Sequence, residues 1–194
     1  MNDESFRWMA RPAQPPTEPR AWRPEQVLGE ATAIRPAPEG KLVSTFDRDF
    51  ARRHPLLVLV AEDNAVNRKV ILTMLERLGY RAEAVENGRE ALQHLARQPS
   101  DLILMDIQMP EMDGLEATRR IRAVTSRDLP PYILALTANA RKADYHSCLD
   151  AGMQDYLSKP VRTDDLIAAV ARAHAWLQAD DRAARVVALT KLAS

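Results

Sequence analysis

Two apolar runs that end in carboxylates constrain this chain most. Leu56-Leu-Val-Leu-Val-Ala61 closes on Glu62-Asp63, and Asp101-Leu-Ile-Leu-Met105 closes on Asp106. Continuous Val/Ile/Leu runs read as parallel strands buried on both faces, and in open α/β sheets the functional crevice lies outside the carboxyl ends of the strands. Acids delivered there together repel one another unless a cation sits among them. Hard oxygen ligands with room for water favour Mg²⁺ over zinc, and such an ion takes a phosphate oxygen among its ligands.

From Leu56 onward strand and helix patterns alternate. Strands are predicted at Leu56 to Ala61, Arg81 to Val85, Leu102 to Asp106, Ile133 to Leu136 and Asp155 to Leu157, with helical periodicity between them. The class is α/β, a doubly wound (βα)5 sheet. Gly79 and Gly152 read as helix stops, and Gly88 lies in the Glu-Asn-Gly turn before the second helix. The last helix is expected after Thr163, an N-cap followed by Asp164-Asp165, and runs to about Leu177. Residues 178–194 extend it or fray.

The other strand ends add a hydroxyl and a cation. Tyr132-Ile-Leu-Ala-Leu136 delivers Thr137-Ala138, and Gln154-Asp-Tyr-Leu157 delivers Ser158-Lys159-Pro160. In chain order this is an acid pair, a lone Asp, a Thr and a Lys. That order resembles the receiver domain of two-component response regulators. Four segments carry the resemblance: Ala61-Glu-Asp-Asn-Ala-Val-Asn67, Leu104-Met-Asp-Ile-Gln-Met-Pro-Glu-Met-Asp-Gly114, Ala135-Leu-Thr-Ala-Asn-Ala140 and Ala151-Gly-Met-Gln-Asp-Tyr-Leu-Ser-Lys-Pro160. They are most similar to the receivers attached to hybrid sensor kinases.

The resemblance implies a flavodoxin-like five-stranded parallel sheet, with a receiver over residues 55–177. It implies Asp106 as phosphoacceptor and Mg²⁺ held by Glu62, Asp63, Asp106 and the Gln108 backbone carbonyl. It assigns Thr137 and Lys159 to the phosphoryl oxygens and Tyr156 to a switch that exchanges rotamers with Thr137. A cis Lys159-Pro160 bond, phosphoryl-lifetime positions at Gln108 and Asn139, and partner docking at Val66, Val70 and Pro160 are implied likewise. The implied partners are a histidine kinase or histidine phosphotransfer protein, and a downstream protein bound through the fourth helix, fifth strand and fifth helix. A homodimer is compatible with the resemblance.

Each residue also has a plainer reading. Strand-end acids cap helices, and for Asp113, before Gly114, that is the reading adopted. For Glu62, Asp63 and Asp106 together it fails, because clustered unpaired carboxylates are costly to keep near a crevice. Alone, Thr137 is a turn hydroxyl, Lys159 a solvated charge and Tyr156 a half-buried strand aromatic. On the first helix, Val66, Val70, Ile71, Met74, Leu75 and Leu78 share about half the circumference. Most of that arc is core, so Val66 and Val70 are either docking surface or surplus core.

Residues 1–54 read as a largely disordered arm, since seven of the 13 prolines fall before Gly40 without periodicity. All three Phe and two of the three Trp also lie before residue 55 (Phe6, Trp8, Trp22, Phe46, Phe50), as docking aromatics or a remnant of a longer ancestor. Arg53-His-Pro-Leu-Leu57 resembles the connector that precedes a hybrid kinase's terminal receiver. Formal net charge is +0, which supplies no bulk field for nucleic acid, and no run approaches membrane-spanning length. The single cysteine, Cys148, forms no intrachain disulfide. A cytoplasmic location is the default, and no output domain fits in the tail.

Three functions compete. The first is a phosphorelay phosphoacceptor with intrinsic transfer and hydrolysis chemistry, not itself a kinase, acting as a switch or as a detached hybrid-kinase receiver that carries phosphate. The second is a hydrolase of the haloacid dehalogenase type, but Gln108 stands where such enzymes carry a second acid. The third is a phosphorylation-independent interaction module, which would have lost acids or the Lys. None of His54, His94, His146 and His174 lies in a kinase-like phosphoacceptor box.

Overall fold

The computed structural model describes residues 47–124, 130–138 and 142–192; Phe6, Trp8, Trp22 and Phe46 lie outside them. Its strands are β1 (Val58–Ala61), β2 (Glu83–Val85), β3 (Leu102–Asp106), β4 (Tyr132–Thr137) and β5 (Asp155–Ser158). All pair in parallel, in the order β2-β1-β3-β4-β5. This is the flavodoxin-like order, and it puts the ends of β1 and β3 side by side at the sheet centre.

Alternation along the strands decides which helix goes where. Val58, Val60, Leu102, Leu104, Leu134 and Leu136 face one side, under Ile71, Leu75 and Leu78 of α1 (Ala65–Arg77) and Leu166, Ala169, Val170 and Ala173 of α5 (Thr163–Leu192). Leu59, Ala61, Ile103, Met105, Ile133 and Ala135 face the other. There they meet Ala91 of α2 (Gly88–Arg97), Ala117 and Ile121 of α3 (Gly114–Val124) and Cys148 of α4 (Lys142–Ala151). Both layers are dry because every residue of β1, β3 and β4 is buried.

Local capping fixes where the helices start. Asn64 Oδ1 accepts from Val66 N at 2.9 Å and Asn67 N at 3.1 Å, which opens α1 directly after the acid pair. Asn87 caps α2, its Oδ1 accepting from Glu90 N at 2.9 Å, and Glu90 Oε2 accepts the N–H of Glu86, the residue before the cap, at 2.9 Å. Asp113 Oδ1 takes Glu116 N at 2.7 Å, the capping role read from sequence. β1 starts two residues after its apolar run does, because Leu57 gives its N–H to Asp101 Oδ2 at 2.7 Å and leaves its side chain 57% exposed. Among the described residues no helix is long and apolar enough to cross a membrane.

The last residues of the proline-rich segment are folded. A single helical turn, Phe50–Arg53, lies against the end of α1, with Ala51 N donating to Leu78 O at 3.0 Å. Phe50 is buried, stacked on His54 at 4.3 Å and edge-on to Tyr80 at 6.4 Å. Gly79 makes this possible twice over: its φ is +92°, and a Cβ there would come within 2.3 Å of the Arg48 carbonyl. Phe50→Ala is expected to cost about 2–4 kcal/mol, read as a lower urea midpoint at unchanged slope. A shift within about 0.5 kcal/mol would mean that the turn is not part of the cooperative unit.

At the other end α5 runs through Gln178 to Leu192 as one helix. It is tied to the sheet by Arg172, whose Nε and Nη2 reach Asp155 Oδ2 at 2.9 and 2.6 Å, and by Trp176 packed edge-on to Tyr132 at 5.5 Å.

Candidate functional site

The carboxyl ends of β1, β3, β4 and β5 meet in one cleft. Asp106, the last residue of β3, lies opposite Leu136 of β4, and Ile107 N donates to Leu136 O at 3.2 Å. Lys159 follows β5, and its N–H donates to the Thr137 carbonyl at 2.7 Å. The Lys159-Pro160 bond is cis, as the resemblance implied. The Lys159 ammonium lies 2.6 Å from Asp106 Oδ2 and 2.7 Å from Glu62 Oε2, bridging acids that end two different strands.

The remaining acid oxygens are held by neutral donors. Gln108 N donates to Asp106 Oδ1 at 3.2 Å, and Asn67 Nδ2 donates to Glu62 Oε1 at 3.1 Å. Glu62 is fully buried, yet its Oε2 accepts no hydrogen bond of sound geometry. Its approach to Lys159 is therefore a charge contact with a lone pair left over. Burial pushes the Asp106 carboxyl up from its ordinary range, with Glu62 adding to the push and the Lys159 hydrogen bond opposing it. For Lys159 burial alone would lower the value, but the hydrogen bond to Asp106 and the charge contact with Glu62 outweigh it and hold the ammonium above the usual lysine range.

These residues fit a small hard cation. One oxygen each from Glu62, Asp63 and Asp106 lie within 4.8 Å of one another. All-oxygen, mostly anionic donors suit Mg²⁺ and offer nothing to a soft metal. Asp63 is exposed, so one side of the cluster is open to water.

The cleft encloses about 640 Å³, and its lining includes Gln108, Thr137 and Lys159 together with Ser147 of α4. Thr137 is 7% exposed and closes β4 next to Lys159. Tyr156 sits on edge strand β5, 38% exposed, one residue out of phase with buried Leu157. Asn139 lies outside the described residues. Val66 and Val70 stand out at 71% and 45% exposed, beside a groove of about 570 Å³ that α1 forms with Thr163. Pro160 is exposed as well.

Sequence reasoning assigned no role to Asn67, Arg68 or Ser147. Arg68 Nη1 donates to the carbonyls of Glu62 at 2.7 Å and Asp63 at 3.1 Å, and its Nη2 to Glu86 Oε1 at 2.7 Å. The only signal was spacing: Asn67 and Arg68 lie five residues beyond Glu62 and Asp63, on the first turn of the helix those acids lead into. Gly114 also serves the site, since a Cβ there would come within 2.1 Å of the Asp106 carbonyl oxygen.

The family model for the response regulator receiver domain matches residues 58–171. Hybrid signal transduction histidine kinase H of Dictyostelium discoideum is 48% identical over 129 residues, covering 64% of this chain and 9% of that protein. The first curated relatives are all much longer, this chain spanning 6% to 13% of them. Among solved structures, the receiver domain of sensor histidine kinase PA1611 from Pseudomonas aeruginosa is 45% identical with a TM-score of 0.57, over 62% of this chain and 98% of that one. That receiver was crystallised with a magnesium ion coordinated in its active-site cleft. The receiver domain of Ssk1, solved with the Saccharomyces cerevisiae phosphotransfer protein Ypd1, gives 32% identity and a TM-score of 0.53, covering 57% of this chain and 83% of the solved one.

Proposed function

This chain belongs to the response regulator receiver domain family, and from that premise we propose that it is a Mg²⁺-dependent phosphoacceptor, taking a phosphoryl group from a histidine kinase or histidine phosphotransfer protein onto Asp106. The observation that carries the reading is the Lys159 ammonium between Asp106 and Glu62, at 2.6 and 2.7 Å, beside a third acid. Phosphoryl transfer asks a protein mainly to position groups and neutralise charge along an in-line path.

An Asp106 carboxylate oxygen attacks phosphorus, the O–P bond forms as the P–N bond of phosphohistidine breaks, and the electron pair returns to the imidazole nitrogen. The product acyl phosphate is later hydrolysed by water, returning carboxylate and inorganic phosphate. Glu62, Asp63, Asp106 and the Gln108 carbonyl would hold Mg²⁺, which when bound offsets the charge on the phosphoryl oxygens. Lys159 supplies the fixed cation at Asp106 Oδ2, and the Thr137 hydroxyl, on the neighbouring strand end, receives a phosphoryl oxygen. Gln108, at the rim, orients or occludes the hydrolytic water, and so would Asn139.

The donor's docking face is the Val66–Val70 edge of α1 with Pro160, where apolar side chains are exposed next to the cleft. The solved Ypd1 complex supports a phosphotransfer-type partner in principle. A second reading, a phosphate carrier or sink of the hybrid-kinase kind, is favoured by the relatives, whose matching segment is a small part of a longer kinase.

The two readings separate on one measurement. If phosphorylation switches partner binding, beryllofluoride should change amide-exchange protection between residues 140 and 163 as well as beside Asp106, because the new charge binds one arrangement of Thr137 and Lys159 better than another. In Thr137→Ala the distant change should shrink severalfold while the local one persists. Protection changing only beside Asp106 would leave the carrier.

A further inference from the structure

Glu62 and Asp63 are useful only if both reach the cleft at once; the Glu62 N–H, donating to the Val85 carbonyl at 3.1 Å, anchors the start of the link between β1 and α1 but does not fix the side chains. We propose that Asn67 and Arg68 are positioning residues for this acid pair: Asn67 sets the rotamer of Glu62, and Arg68 clamps the peptide carbonyls of both acids to the β2–α2 link. The inference deepens the phosphoacceptor reading and rests on it.

Asn67 Nδ2 holds Glu62 Oε1 at 3.1 Å, so the other oxygen, Oε2, is the one presented to Lys159. Arg68 acts on main chain instead. One nitrogen, Nη1, takes the Glu62 and Asp63 carbonyls at 2.7 and 3.1 Å, while Nη2 takes Glu86 Oε1 at 2.7 Å. Glu86 is itself held, its N–H bound by Glu90 Oε2 at 2.9 Å, so the clamp ends on the capped start of α2. The Arg68 side chain is 18% exposed, while Glu86 at the far end of the fork is 63% exposed, so the clamp is most sheltered at the Glu62 carbonyl. Only guanidinium has a planar set of donors that can serve two carbonyls and a carboxylate together.

Charge alone would predict the opposite sign. A cation on the main-chain carbonyls of two of the acids repels Mg²⁺, so if Arg68 mattered only through its charge, Arg68→Gln would bind Mg²⁺ more tightly. Positioning predicts weaker binding, and partners that orient metal ligands are typically worth about 10- to 100-fold in affinity.

The test is calorimetric titration of Mg²⁺ into the full chain and into Asn67→Ala, Arg68→Gln and Arg68→Lys, with urea unfolding in EDTA alongside. Asn67→Ala and Arg68→Gln should each weaken Mg²⁺ binding about tenfold or more. Arg68→Lys, which keeps the charge and can still reach a carbonyl, should recover part of the loss. A purely structural role would lower the urea midpoint and leave the affinity of the folded protein unchanged, so Asn67→Ala supplies the answer if Arg68→Gln does not fold. Unchanged or tighter Mg²⁺ binding in folded variants would overturn the positioning role alone. A parent chain that binds no Mg²⁺ would overturn it together with the metal-dependent reading beneath it.

Discussion

Asp106→Ala is expected to abolish phosphorylation by acetyl phosphate, leaving no shifted band on a phosphate-affinity gel where the parent chain should give one. The other acids near strand ends are already engaged or unsuited. Asp101 spends Oδ2 on Leu57 N at 2.7 Å, and Asp113 spends Oδ1 on Glu116 N at 2.7 Å. Glu62 is buried, with Oε1 tied to Asn67. Asp106 ends its strand in the cleft with Oδ2 on the Lys159 ammonium and with the Thr137 hydroxyl and open volume beside it. In the variant Lys159 keeps Glu62 as partner, so a near-native circular dichroism spectrum should accompany the loss. A band that persists in Asp106→Ala would move the phosphoacceptor elsewhere and end the assignment.

The strand ends were legible because burial imposes composition. β1, β3 and β4 are covered on both faces, so their residues could be little but Val, Ile, Leu, Ala and Met, and the first polar residue after each run marks where the sheet opens to solvent. Strand order and the gathering of Lys159 with the three acids at one site were not written in periodicity, and came from the resemblance. Three features escaped both routes for physical reasons. The Phe50 turn is stabilised by contacts with Leu78, Gly79 and Tyr80, distant in sequence, while its proline-rich neighbourhood has the composition of a coil. The Arg68 clamp is made to carbonyl oxygens, which every residue has, so no residue type announces it. Ser147 reaches the cleft from α4 only once the helix is packed, and an isolated serine on a helix carries no signal.

Trp176, the only tryptophan among the described residues, packs on Tyr132 at the first residue of β4, whereas the acid cluster lies beyond the last residues of the strands. Its fluorescence is therefore a poor reporter of Mg²⁺, and calorimetry the better one.

Lys159→Met should cost the metal-free protein about 3–5 kcal/mol, and Mg²⁺ should restore more stability to the variant than to the parent. The Lys159 ammonium sits 2.7 Å from a carboxylate with no exposed surface and 2.6 Å from one that is 5% exposed. Methionine fills a similar volume without a charge, so what changes is compensation: Glu62 and Asp106 face each other across a low-dielectric cleft with their negative charges unbalanced. Removing one partner of a buried ion pair is costly for that reason, even where replacing the whole pair would be neutral. A divalent cation held by Glu62, Asp63 and Asp106 meets the same need. In the parent it would share those acids with an ammonium that repels it; in the variant it would not, and tighter binding to the folded state would appear as a larger rise in Tm. Thermal scans of both proteins with EDTA and with excess Mg²⁺ give four values that decide the matter. If Lys159 were only a solvated surface charge, the EDTA values would agree within about 0.5 kcal/mol. A large loss in EDTA that Mg²⁺ leaves untouched would instead mean that the three acids do not share a cation, and the metal would have to be removed from the proposed chemistry.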